Sequence, residues 1–425
     1  MEKQTTDDKV NLAEDDPLVP VSPKNVEAIG LDYGFLADLT LKAVSTDTNC
    51  TSEHIADKIK LPVPIAENLL QHLYRERLIE ILQRESLQSH RYALLDRGWE
   101  RVKQLMSVSG YIGPAPVSLD AYAAAVRLTE EARKPAKAEV VAQAFRDLVL
   151  PENALQTLGL VVDSRRSLLL TGPPGCGKTS TAKALHAALE GEIWIPYAIE
   201  VDRQVIRIFD PHTHEPVTTP AHRYDKRWIK IKRPLVIVGG ELTIEAMDLI
   251  YSDTVRFYEA PFQVKSNGGV LLIDDFGRQR IAPRDLLNRW IIPLENRIDY
   301  LTLHTGKKIE IPFEQLLVIA TNLNPRDLVD EAFLRRMGYR LTLTAPSIDT
   351  YALILRRYIA AHDLNYEPEL LQTLLNRYRL ENREMKSCEP RDLVERCLDI
   401  CRYEHLPKKL TSELLERAWC NYFGT

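Results

Sequence analysis

The sequence predicts an α/β domain with a parallel sheet, an all-helical C-terminal region and a small front domain of helices and two strands. Three patterns carry this reading. Between residues 151 and 345 apolar runs alternate with helical patterns, which implies a parallel sheet covered by helices on both faces. Residues 346–425 show helical periodicity and no strand signal. Residues 25–108 read as helix, helix, helix, two strands, helix.

The chain has 425 residues, a length that suggests three domains at roughly 150 residues each. With 45% hydrophobic and 27% charged residues it can bury real cores. Lys and Arg number 55 against 60 Asp and Glu, a net charge of −5, so coating nucleic acid or an anionic membrane is not its expected work. No apolar run approaches the 18 or so residues that span a bilayer, and the N-terminus lacks a signal-peptide layout. Six cysteines without a framework of spacings imply reduced thiols, hence a cytoplasmic setting and no membrane partner.

Residues 1–24 read as a disordered acidic tail: Glu2, Asp7, Asp8, Glu14, Asp15 and Asp16 face three lysines, and Pro17, Pro20 and Pro23 follow. In residues 25–108 a helix is expected through Phe35, Leu36, Leu39 and Val44. Thr51 or Ser52 caps a short helix with Ile55, Ala56 and Ile59, and a third helix carries Ile65, Leu69, Leu70 and Leu73. Strands follow at Leu78–Leu82 and Arg91–Leu95, and Asp96 opens a last helix with Trp99, Val102 and Leu105. This order resembles a winged helix-turn-helix domain. Residues 109–150 read as a connector, with GYIGPAP as hinge and helices around Tyr122–Ala132 and Val140–Leu148.

In residues 151–345 the candidate strands are Leu168–Thr171, Ile193–Ile199, Val236–Val238, Val270–Ile273 and Leu316–Ala320. In residues 346–425 helices are expected over Tyr351–Ala361, Glu367–Tyr378, Pro390–Arg402 and Thr411–Tyr422. There is no internal repeat.

The strongest chemical signal is Gly172-Pro173-Pro174-Gly175-Cys176-Gly177-Lys178-Thr179, followed by Ser180. It sits between an apolar strand and a helix, the context a phosphate-binding loop requires. Glycines let successive backbone N–H groups close around phosphate oxygens at the positive end of the following helix. Lys178 is placed to neutralise β- and γ-phosphate charge, and Thr179 to ligate Mg²⁺. A second signal is Val270-Leu271-Leu272-Ile273-Asp274-Asp275, a buried strand ending in two carboxylates where ligands sit in open α/β sheets. Asp274 is expected to hold Mg²⁺ through water and Asp275 to polarise an attacking water.

With these two motifs the chain resembles AAA+ ATPases over about residues 115–425. The resemblance implies an AAA+ P-loop NTPase core with a C-terminal helical lid, the winged helix-turn-helix domain preceding it. It implies ATP and Mg²⁺ as cofactors. Three further elements fit in order and spacing. Ala320-Thr321-Asn322 closes the next strand, which makes Asn322 the polar sensor that places the water. Ala332-Phe333-Leu334-Arg335-Arg336 matches the helix bearing the arginine finger that reaches a neighbouring subunit. Pro390-Arg391-Asp392 opens a lid helix, which puts Arg391 at the γ-phosphate. A hairpin expected around Gly306, from Leu301 to Ile311, and a helix over Leu286–Glu295 resemble the branch with MoxR-like chaperones and enhancer-binding activators.

The sequence departs from the family at Asp275, where Glu is usual, and in a long insertion near 200–235. Asp210, His212, His214 and His222 in that insertion include zinc-type ligands, although hydrogen-bonding histidines are the cheaper reading. Cys397, Cys401 and His405 share one helix face at i, i+4, i+8, as buried small side chains or as ligands. Cys176, at a helix N-terminus, is either a spacer or an oxidisable thiol. Tyr251, Phe257, Tyr258 and Phe262 read as core packing, with a substrate-gripping pore loop as the rival.

The resulting expectation is a ring-forming homo-oligomer, a hexamer, that hydrolyses ATP to remodel a protein client. No base-reading motif for GTP follows the second strand motif. The alternative is a DNA-directed regulator or replication factor whose winged helix binds DNA. Residues 25–108 hold ten Lys/Arg against twelve Asp/Glu, and Glu67 sits where the third helix would meet DNA. Asn68 and Gln71 can read adenine, yet DNA is disfavoured as a partner.

Overall fold

In this computed structural model the described residues are 17–47, 50–84, 90–219, 224–324 and 331–424. Most of the acidic tail, residues 1–16, and His222 lie outside them. The front of the chain runs α1 (Tyr33–Val44), β1 (Cys50–Thr51), α2 (Ser52–Ile59), α3 (Val63–Arg75), β2 (Ile79–Arg84), β3 (His90–Leu94) and α4 (Asp96–Val108). Asp32 starts α1 by accepting the Phe35 N–H at 2.9 Å, and Thr51 starts α2 by accepting that of His54 at 3.2 Å. The three strands pair antiparallel in the order β1-β3-β2. Two-residue β1 has no readable alternation, so the sequence shows only the other two.

Beyond it come β4 (Val117–Ser118), α5 (Leu119–Glu131), α6 (Ala138–Ala144) and α7 (Glu152–Ser164). The chain continues through β5 (Leu168–Thr171), α8 (Lys178–Ala187), β6 (Glu192–Pro196), β7 (Ala198–Val201), β8 (Gln204–Arg207), β9 (Trp228–Lys232) and β10 (Leu235–Val238). Next are β11 (Ile250–Tyr251), β12 (Tyr258–Glu259), α9 (Phe262–Lys265), β13 (Val270–Ile273), α10 (Pro283–Arg289), α11 (Ile291–Asn296), β14 (Ile298–Thr302) and β15 (Lys308–Pro312). The core closes with β16 (Leu316–Thr321), α12 (Glu331–Arg336) and β17 (Tyr339–Thr342). Four helices end the chain: α13 (Ile348–Ala361), α14 (Pro368–Leu380), α15 (Glu389–Tyr403) and α16 (Ser412–Phe423).

The central sheet is parallel, in the order β10-β13-β16-β5-β17. Successive strand residues point to opposite faces. Leu168, Leu170, Val270, Leu272, Val318 and Ala320 pack on α7 and α8 residues such as Val161 and Leu185. Leu169, Leu271, Ile273, Leu317 and Ile319 pack with Leu286, Trp290 and Phe333. Burial of both faces explains why these strands read as continuous apolar runs.

Two expectations about the sheet are corrected. Ile193–Ile199 does not enter it: the run breaks at Tyr197 into β6, which pairs with β9, and β7, which joins a second sheet ordered β11-β12-β8-β7-β4. The fifth central strand is instead β17, whose half-buried Tyr-Arg-Leu-Thr carries no apolar run. The expected hairpin forms as β14–β15, with Leu301 opposite Ile309, and Gly306 lies in its turn at φ +84°.

The hinge GYIGPAP is tied down at several points. Gly110 N–H donates to the Val255 carbonyl, Ala115 N–H to that of Ile59, and Tyr111 is buried edge-on against Phe257. Front-domain residues such as Leu36, Leu41 and Ile59 share one hydrophobic cluster with Ala198 and Val205 of the second sheet. Arg227 sits at the same junction. Its guanidinium pairs with Asp225 at 2.8 Å and donates to the Ile29 and Pro116 carbonyls, both partners being almost fully buried. The final four helices enclose their own core around Leu393, Val394 and Trp419. No described helix is long and apolar enough to cross a membrane.

Candidate nucleotide site

The loop 172–177 links the C-terminal end of β5 to α8. Gly172 has φ +144°, and a Cβ there would stand 2.1 Å from the Leu343 carbonyl oxygen, so only glycine fits where β17 ends. Gly177 at φ +92° turns the chain into α8, whose first residues are Lys178, Thr179 and Ser180. Lys178 is buried, and its amine donates to the Gly172 carbonyl at 2.9 Å and to that of Pro173 at 3.0 Å. Pro174 is exposed at the loop's crest and Cys176 is buried beneath it. Burial pushes the Cys176 thiol up in pKa, with Lys178 opposing, so the environment does not favour a thiolate.

The strand two places along the sheet from β5 supplies the carboxylates. Asp274 follows β13, and its Oδ2 accepts the Thr179 hydroxyl at 2.7 Å while its Oδ1 accepts the Asp275 N–H at 3.0 Å. The sequence-predicted pair is thus one oxygen-only donor cluster, which suits a hard cation that keeps water and phosphate oxygens as its remaining ligands. Asp275 is exposed and holds φ +48°, a left-handed backbone few non-glycine residues adopt. Strain of this kind is concentrated at functional sites.

The turn after Asp275 is fixed from the next strand. Phe276 N–H donates to the Ala320 carbonyl at 2.8 Å, and the Thr321 hydroxyl donates to the Phe276 carbonyl at 2.7 Å. Gln279 braces it too, donating to the Asp274 carbonyl and accepting the Gly277 N–H. The sequence marks Thr321 only as the neighbour of Asn322 and Gln279 not at all, since both act through backbone contacts. Asn322 follows directly. Its side-chain oxygen is buried with no donor among the described residues, an orphan of the type that a bound water or ligand group satisfies.

Two of the three arginines, Arg335 and Arg336, lie elsewhere. Arg335 and Arg336, at the end of α12, line a cavity of about 250 Å³ with Arg166, Ser167, Arg297 and Gly338. Arg166 and Ser167 precede β5, whereas the phosphate loop follows it. Four residues of strand, roughly 13 Å, therefore separate the two ends. Arg335 pairs with Glu331 at 3.0 Å and Arg336 with Glu295 at 2.6 Å. Arg391, in the first turn of α15, donates through Nε and Nη2 to Asp392 at 3.0 and 2.8 Å. The lid meets the loop ahead of Arg391: Cys388 N–H donates to the Gly175 carbonyl at 3.0 Å, and Lys386 lies beside the same glycine.

The remaining candidates resolve into packing. His214 is buried, accepts the Asp210 N–H through Nδ1 at 3.0 Å and bonds the Lys265 carbonyl through Nε2 at 2.8 Å. Both its nitrogens are used, and among the described residues no group of three or more His, Cys, Asp or Glu could hold a metal. Cys397 and Cys401 are buried in the lid core. His405 is not on their face, because α15 ends at Tyr403 and His405 turns at φ +55°. Tyr258 is buried, and Tyr251, Phe257 and Phe262 pack on the clusters around it.

The parallel sheet, its loop and its helical cap form the α/β fold of an AAA+ P-loop NTPase. Residues 168–345 match the family described as "ATPase family associated with various cellular activities (AAA)", so the chain carries an AAA-family ATPase domain. Residues 347–421 match a "Domain of unknown function (DUF8689)". No curated protein matches the chain. Among solved structures it is similar to the Thermotoga maritima RuvB Holliday junction branch migration motor. That match has 14% identity over 66% of this chain and 72% of that one, with a TM-score of 0.39. It is also similar to NtrX from Brucella abortus in complex with ATP, at 14% identity over 82% of this chain and 63% of that one, with a TM-score of 0.40.

Proposed function

We propose that the chain is an Mg-ATP-dependent ATPase that assembles into a ring, a homo-hexamer, and uses hydrolysis to remodel a protein client in the cytoplasm. The observation that carries this reading is the 2.7 Å contact between Thr179 and Asp274 beside the buried Lys178. It joins the helix that opens on a phosphate loop to the strand end that supplies a carboxylate. Gly172, Pro173, Pro174, Gly175, Cys176 and Gly177 would wrap the phosphates with backbone N–H groups, Pro173 and Pro174 shaping the turn. Lys178 would leave the two loop carbonyls for the phosphate oxygens. Thr179 and Asp274 would hold Mg²⁺, which when bound draws charge from the phosphate oxygens. Asp275 is the residue to accept a proton from the attacking water, and Asn322 the one to orient it.

The ring rests on the place of Arg335 and Arg336, at the end of β5 opposite its own phosphate loop. From there they serve a neighbouring subunit's nucleotide more readily than their own. The β14–β15 hairpin before β16 supports placement in the MoxR-like branch. The element order of residues 33–108, with its β1-β3-β2 sheet, supports a winged helix. Its packing on the second sheet supports a role in protein contacts rather than DNA reading. The end of α3 that would approach a groove begins at Val63, which shares a cavity with Tyr224 and Lys226.

The test is phosphate release from ATP by the full chain, followed by capture of clients on Asp275→Asn in ATP. Absence of Mg-dependent hydrolysis overturns the enzymatic reading. Steeply salt-dependent duplex binding by the full chain would favour the DNA-directed alternative.

A further inference from the structure

The lid brings a lysine to the phosphate loop, five residues ahead of the arginine that the sequence motif marks. The turn Lys386–Cys388, just before α15, lies across Gly175. Besides the Cys388–Gly175 hydrogen bond of 3.0 Å, a Cβ placed on Gly175 would stand 2.7 Å from Cys388 Sγ. The same Cβ would stand 3.4 Å from Lys386 Cβ and 3.3 Å from Lys386 Cδ. The lysine stem therefore runs along the loop, and its amine is two bonds beyond an atom already at van der Waals distance. Gly175, with φ +80° and no side chain, is what allows the approach.

The Lys386 backbone is anchored while its head group is not. Its N–H donates to Glu389 Oε2 at 2.8 Å, and Glu389 is buried and also accepts the Tyr378 hydroxyl. The Lys386 side chain is exposed, and its amine makes no ion pair among the described residues. Arg391 is the opposite case. Two of its nitrogens are bound to Asp392 Oδ1, and the other Asp392 oxygen accepts the Tyr422 hydroxyl at 3.1 Å. A phosphate would have to compete with that carboxylate for Arg391, whereas Lys386 needs only a rotation about its last bonds.

We infer that Lys386 is a phosphate-contacting residue of the lid: with a nucleoside triphosphate in the loop, its amine binds the phosphate chain and ties lid position to nucleotide state. This rests on the ATP-binding reading above. Its chemistry is a charge-assisted hydrogen bond from an ammonium to a phosphate oxygen, which in a partly desolvated site is among the stronger polar contacts.

The experiment is calorimetric titration of the full chain with ATP and with ADP, comparing the parent with Lys386→Met, Lys386→Arg and Arg391→Met. Methionine keeps a stem against Gly175 and removes the charge, so packing and charge are separated. The expected result is ATP affinity about tenfold weaker or more in Lys386→Met, with a shallower salt dependence and recovery in Lys386→Arg. Parental ATP affinity and salt dependence in Lys386→Met, with the parent chain binding ATP normally, overturn the assignment and leave the ATP reading standing. A parent chain that binds no ATP brings down both.

Discussion

The Thr179 hydroxyl donates to Asp274 Oδ2 at 2.7 Å although 95 positions separate the two residues. Neither side chain reaches the other by local geometry. The contact exists because β16 lies between β5 and β13 in the sheet, so that both flanking strands end at one edge. Asp274 directly follows β13 and Thr179 stands in the first turn of the helix after the β5 loop, and the sheet aligns them.

Asp274→Asn tests this cluster directly. The amide keeps the shape and can still accept from Thr179, but it removes the charge that favours a divalent cation. ATP hydrolysis should then need several-fold more Mg²⁺ for half-maximal rate. An unchanged Mg²⁺ titration curve would place the cation elsewhere.

Asp275→Asn should leave ATP binding within about twofold and lower turnover by 10²-fold or more, the usual scale for loss of a general base. Asp275→Glu adds one methylene to a carboxylate held on a left-handed backbone. It should retain more activity than the Asn variant. Equal rates for parent and Asp275→Asn would show that the water is activated by another group.

How much of this was legible in the sequence depends on whether a residue acts through its own side chain or through its neighbours. Gly172 to Thr179, Asp274 and Asp275 announce themselves, because phosphate and cation chemistry demand those residue types at those spacings. β17 did not, since an edge strand that is half exposed needs no apolar run. The tyrosine at 197 splits one apolar stretch between two sheets, and periodicity carries no information about that partition. Lys386 was illegible for a different reason. Its position follows from how the lid lies on Gly175, a contact between segments 211 residues apart in number and unrelated in pattern.

Arg335→Ala and Arg336→Ala should each leave the fold intact, because their ion pairs with Glu331 and Glu295 are solvent-exposed and contribute little to stability. Successive helical residues point about 100° apart, so one substitution should lower turnover far more than the other. Mixing the inactive arginine variant with inactive Asp275→Asn should restore part of the activity, since a mixed interface can hold one intact site. No recovery in mixed assemblies verified by mass would count against action in trans.

The Arg227–Asp225 pair tests how the front of the chain is fastened. Arg227 reaches the Ile29 and Pro116 carbonyls, and Asp225 N–H donates to the Pro20 carbonyl, so one ion pair pins the N-terminal segment and the hinge to the entry of β9. Both side chains are more than nine-tenths buried. Removing one partner strands the other charge in a dry setting, which costs about 3–5 kcal/mol, whereas removing both costs less. Arg227→Met should therefore lower the denaturant midpoint sharply and expose the segment around Pro20 to limited proteolysis. The double variant Asp225→Asn/Arg227→Met should recover part of that loss. If Arg227→Met keeps the parental midpoint and proteolytic pattern, the fastening lies in the apolar contacts of Leu36, Ile59, Ala198 and Val205 instead.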